Sequence, residues 1–112
     1  MGVIRYWNHM NKVEYSKSQI VDILKDINEF VVSLDQIDTV FHELGEEAWK
    51  KELIDYLISS QLSQRLSKVR TTLSAPFPTE LGEDDMDYLE RNMESVKYWT
   101  FSEYLNRKGI AK

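Results

Sequence analysis

The 112-residue chain has no cysteine, two prolines and four glycines. It also lacks any run of about 18 apolar residues. Each absence removes a class of protein. Without cysteine there is no disulfide framework, no thiol nucleophile and no zinc–thiolate site. Without a long apolar run no transmembrane helix is expected. The polar stretch after Met1-Gly2-Val3-Ile4-Arg5 lacks the apolar core of a secretory signal. Tyr6 stands where a myristoylated Gly2 would need Ser or Thr. A cytoplasmic protein without membrane attachment is the expectation. No glycine-rich phosphate loop, serine nucleophile elbow or metal-ligand set occurs, and His9 and His42 are the only histidines. No enzyme activity, no cofactor and no metal are therefore expected.

Positive charge is also in short supply. The net charge is −5, which argues against nucleic acid binding over the whole surface. Residues 1–44 and 79–112 are each acidic by three charges, and residues 45–78 are basic by one. Apolar residues make up 42% and charged residues 29%, an ordinary balance for a folded domain. The length suits one domain, residues 1–112, with one modest core.

Few breakers mean long elements, and the apolar spacing is helical. Ile20, Ile23, Leu24, Ile27, Phe30, Val31 and Leu34 recur at threes and fours behind Ser18, a plausible N-cap. The stripe continues through Ile37, Val40, Phe41 and Leu44 to a helix-stopping Gly45, with a candidate break at Ser33–Gln36. A second stripe runs from Trp49 through Leu53, Leu57, Leu62, Leu66 and Val69 to Leu73, as one helix ended by Ala75-Pro76-Phe77-Pro78. Gly82 and the acids after it predict a further helix start. Met86, Leu89, Met93 and Val96 would form that helix's apolar face. Thr100 and Glu103 resemble a capping box, and Gly109 a stop. The expected fold is all-α, a bundle-like array of four or five helices. Val3 to Trp7 reads as a short strand or arm that Val96 to Phe101 could pair with. The core should contain Ile20, Leu24, Ile27, Val31, Leu53, Leu57, Leu66, Leu89 and Met93.

Four groups of residues are candidate sites. His42, with Asp38 and Glu46 four residues either side, could gather ligands on one helical face. The segment His42-Glu43-Leu44-Gly45 resembles the phosphoacceptor stretch of histidine phosphotransfer domains, whose pattern is His-x-Leu-Lys-Gly. Here the lysine is missing and the glycine comes one residue early. Leu62 to Ser74 is similar to a helix-turn-helix stretch. That resemblance implies a DNA-binding alternative over residues 56–74, in which Arg65, Lys68, Arg70, Thr71 and Thr72 face nucleic acid. It requires a turn at Ser67, whereas a straight helix favours a protein partner.

The remaining two groups lie near the C-terminal end. Glu83, Asp87, Glu90 and Glu94 repeat at fours and threes, which makes one acidic stripe if residues 83–96 are one helix. Glu90 and Glu94 would then lie beyond the reach of the helix dipole. Tyr98, Trp99, Phe101 and Tyr104 crowd seven residues, with Tyr6 and Trp7 near the other end. Aromatics of this kind either close a core or anchor an interface. The leading expectation is a small acidic interaction protein, of the size and charge of toxin-neutralising immunity proteins and similar inhibitors. It would bind a macromolecular partner, a basic protein being the best match, through the acidic helix and the aromatic segment. Its oligomeric state is not fixed by the sequence.

Overall fold

The computed structural model describes residues 12–110. Among them are five helices and no strand, with helix over 69%. The order is α1 (Lys17–Leu44), α2 (Glu46–Ser59), α3 (Leu62–Ser74), α4 (Tyr88–Met93) and α5 (Phe101–Arg107). The all-α expectation is met. The strand expected at Val3–Trp7 lies outside the described residues, and residues 96–100 are neither strand nor helix. Contacts divide the chain into two compact units at Pro76 and Phe77.

The first unit is a helical hairpin. Ser16, not Ser18, caps α1. Its hydroxyl accepts from Gln19 N at 3.1 Å, and Gln19 Oε1 accepts from Ser16 N at 3.0 Å, a reciprocal capping box. No break occurs at Ser33–Gln36, and α1 runs unbroken for 28 residues. Gly45 then reverses the chain at φ 95°, where a side chain would be strained. Trp49 and Phe41 meet edge to face at 5.6 Å, and Trp49 Nε1 donates to Asp38 Oδ1 at 3.0 Å. These contacts set α2 antiparallel to α1.

The long helix expected over 46–74 is two helices. The break falls at Ser60–Gln61, where Gln61 adopts the left-handed conformation (φ 54°, ψ 41°). Ser59 and Ser60 are poor helix formers, and the Ser60 hydroxyl is buried there without a hydrogen-bond partner among the described residues. α3 then continues antiparallel along the N-terminal half of α1. Arg65 meets Asp26 and Glu29, and the Tyr15 hydroxyl donates to the Leu73 carbonyl.

A hairpin of two arms, α1 against α2 and α3, buries one stripe of each arm. The buried residues lie on the expected stripes, but they are not the ones expected to form the core. Ile23, Phe30 and Val69 are the buried apolar residues among those described. Leu24, Ile27, Val31, Leu57, Leu66 and Met93, expected in the core, are exposed, and Ile20, Leu53 and Leu89 are half-buried. The sequence periodicity found the apolar surface of α1 but not which part of it the hairpin covers.

Candidate partner-binding surface

Residues 77–110 form the second unit, and they carry the acidic and aromatic candidates. The expected helix start at Gly82 is instead a turn. Asp85 N donates to Gly82 O at 3.0 Å, Gly82 N donates to Met86 O at 2.9 Å, and Asp85 takes φ 60°. Arg91 clamps this turn from α4. Its Nε and Nη2 donate to the two carboxylate oxygens of Asp84 at 2.8 and 2.9 Å, and Nη2 also reaches Met86 O at 3.0 Å. A Cβ at Gly82 would stand 2.5 Å from that Nη2, so glycine makes room for the guanidinium. The Arg91 hydrogen bonds, helped by the Met86 N–H, hold the Asp84 carboxyl well below the usual carboxylate range.

The acidic stripe is broken up by this arrangement. α4 begins at Tyr88, so Glu83 lies in the turn, Asp87 is the N-cap and Glu94 the C-cap. Asp87 Oδ1 accepts from Glu90 N at 2.8 Å, and Glu90 Oε1 accepts from Asp87 N at 3.2 Å. Glu90 therefore sits in the first turn, where the helix dipole favours it. Glu83, Asp87, Glu90 and Glu94 do not form one helical face.

The aromatics are outside. Tyr98, Trp99 and Phe101 expose 61%, 69% and 64% of their surface, and Tyr104 is half-buried. Trp99 and Phe101 each lie with ring centroids 6.0 Å from Tyr104, the Phe101 ring stacked. Thr100 fixes this cluster by capping α5, its hydroxyl accepting from Glu103 N at 3.2 Å. The far end closes on Gly109 at φ 69°, with Ile110 N on Leu105 O and Gly109 N on Asn106 O, a Schellman motif. Tyr88, exposed by half and stacked on Phe77 at 5.9 Å, is a surface aromatic that sequence reasoning missed. Its signal was the Pro-Phe-Pro segment, which places Phe77 in a rigid loop. Tyr6 and Trp7 lie outside the described residues.

The basic candidates on α3 fare differently. α3 passes through Ser67 without a turn, so the feature required by the helix-turn-helix alternative is missing there. Arg65 is occupied: Nη1 and Nη2 donate to Glu29 at 2.6 and 3.1 Å, and Nη2 donates to Asp26 at 2.6 Å. Its guanidinium lies 4.5 Å over the Phe30 ring. Thr71 Oγ1 donates back to Ser67 O, and Arg70 donates to Ser67 Oγ. Lys68 and Thr72 line a shallow groove against Gln19, Asp22 and Asp26, an acidic wall unsuited to phosphate.

His42 is exposed in the last turn of α1, edge-on to Phe41 at 5.8 Å. The two carboxylates expected beside it are engaged elsewhere, Asp38 with Trp49 and Glu46 with Lys50 at 3.4 Å. The described residues hold no group of three acidic or histidine side chains able to grip a metal ion. Among them, no helix is long and apolar enough to cross a membrane. Comparison with known protein families, with curated proteins and with solved structures gives no match.

Proposed function

We propose that this chain is a small, non-catalytic protein-interaction module of the inhibitor or immunity type, acting in the cytoplasm. The observation that carries the reading is the exposure of Tyr98, Trp99 and Phe101 together, with the rings of Trp99 and Phe101 flanking Tyr104. A domain that leaves three adjacent aromatic residues more than half exposed accepts an unfavourable hydration that a partner's surface would relieve. Such rings, held by a helix cap, bind with little further loss of side-chain freedom. Acidic residues surround them in sequence, and Glu83, Glu94 and Glu103 are exposed. They favour a basic partner and fast encounter more than they add affinity.

The test uses Trp99. At 69% exposure, Trp99→Ala should change stability by no more than about 0.5 kcal/mol, as surface substitutions usually do. It should also weaken the partner complex by about 2 kcal/mol or more, the mark of an anchor residue. The partner is taken as the protein that co-purifies with the parent chain from its native host. Isothermal titration with that purified protein, beside urea unfolding of the free chain, separates the two effects. A complex unaffected by Trp99→Ala and Phe101→Ala together would remove the aromatic cluster as the contact surface.

A further inference from the structure

The hairpin of the first unit leaves a second apolar line on α1 partly uncovered, with Leu24, Ile27 and Val31 exposed and Ile20 and Leu34 half-buried. Ile20, Leu24, Ile27, Val31 and Leu34 follow one another at intervals of four, three, four and three, the heptad spacing of a helix–helix seam. Leu24 and Val31 expose 49% and 60% of their surface. The residues that α1 turns toward α2 and α3, Ile23 and Phe30, centre on a line roughly 70° round the helix from the seam by the 100° step per residue. α2 and α3 run antiparallel to α1, so the same step places exposed Leu57 and exposed Leu66 on the seam's side of the hairpin. One face of the hairpin is thus apolar along both of its arms. Two such faces pressed together are the usual way to complete a four-helix core.

The ends of the seam identify the occupant. One heptad before Leu24 the stripe carries Lys17, and one heptad after Val31 it carries Asp38. Both are exposed, and Asp38 spends only Oδ1 on Trp49. Two copies of α1 laid antiparallel bring Lys17 of each against Asp38 of the other, Leu24 near Val31, and Ile27 near its own symmetry mate. A parallel pair would set like charges together at both ends. We propose that a second copy of this chain closes this face, with the two α1 helices antiparallel across it and paired at Lys17 and Asp38. The proposal is independent of the aromatic cluster.

Light scattering on the full chain tests it. The expected mass is twice the 13.3 kDa of one chain, and a monomer at about 0.1 mM, well above a micromolar dissociation constant, overturns the proposal. Leu24→Asp combined with Val31→Asp should give a monomer. A dimer that survives both substitutions overturns the proposal, as does a folded parent monomer that these changes unfold, because its own chain then covers the seam. Lys17→Glu lies on the surface and leaves the fold alone. It should weaken the dimer roughly tenfold through two lost pairs and two repulsions. Adding Asp38→Lys gives up the Trp49 hydrogen bond within each chain but should recover most of the lost dimer affinity. A Lys17→Glu chain that dimerises like the parent overturns the antiparallel arrangement.

Discussion

Arg65 shows how one side chain can change meaning between sequence and structure. In the sequence it is part of a basic run with no acid from 56 to 79. In the fold it reaches across to α1, forks onto Glu29, touches Asp26 and covers Phe30. The fork geometry is one that lysine cannot reproduce. The Arg65 hydrogen bond holds the Glu29 carboxyl below its ordinary range, and the same bonds raise the guanidinium further above its own. The sign for stability follows from the lowered carboxyl. The Glu29 contribution is complete above the usual glutamate range, about pH 4.3, and is lost as pH falls through its depressed value. The melting midpoint of the parent should therefore drop on acidification below about pH 4. Arg65→Ala should lower the midpoint at pH 7 and flatten that acid limb, leaving the share due to Asp84. Arg65→Lys should recover only part of the loss. Thermal melts followed by circular dichroism from pH 7 to pH 2.5 would check all three, and an unchanged acid limb in Arg65→Ala would refute the assignment.

At the scale of elements, legibility depended on whether one signal stood alone. Gly45 stopped α1 as expected, because a φ of 95° has no good alternative to glycine. Gly109 at φ 69° ended α5 for the same reason, and Thr100 opened it through the cap hydrogen bond that its hydroxyl accepts from Glu103 N. Where two signals competed, the reading went astray. Gly82 with three acids looked like a helix start, but Asp87 with Glu90 formed the capping box and Arg91 held the intervening turn. Ser33 with Gln36 matched the same motif inside α1, yet the apolar face on both sides kept the helix whole. The α1 stripe was broad enough to contain two faces, and only tertiary contact chose between them. The acidic stripe failed with the helix that was to carry it, whereas the aromatic cluster needed only proximity in sequence and one cap.

The break at Gln61 left no firm sequence signal beyond the two serines before it, since a non-glycine residue in the left-handed region is uncommon. It does leave an energetic one. The left-handed conformation costs roughly 1–2 kcal/mol for a residue with a Cβ, and glycine's extra unfolded-state entropy returns about half of that. Gln61→Gly should then stabilise the chain by about 0.5–1 kcal/mol by urea unfolding. Gln61→Val should destabilise it. A destabilising glycine would mean that the two helices prefer to join.

Across the whole molecule, burial is unequal. Ile23, Phe30 and Val69, the buried apolar residues among those described, all lie in the first unit, while α4 and α5 have none. Helices of six and seven residues are too short to persist on propensity alone. Their caps and the Asp84–Arg91 clamp hold them, and those contacts are open to water. Local opening should therefore cost less there than in the centre of α1. Hydrogen exchange on the free chain should show amides of α4 and α5 exchanging at least about tenfold faster than those of Ile23 to Phe30, equivalent to about 1.4 kcal/mol of opening free energy. If the aromatic cluster is the contact surface, the partner should slow exchange across 98–107 and leave 17–30 unchanged. Closure of the α1 seam by a second copy should do the reverse, protecting 20–34 as protein concentration rises. The two surfaces thus give separate footprints in one measurement. Uniform protection across both units in the dilute free chain would contradict the uneven burial from which this expectation is derived.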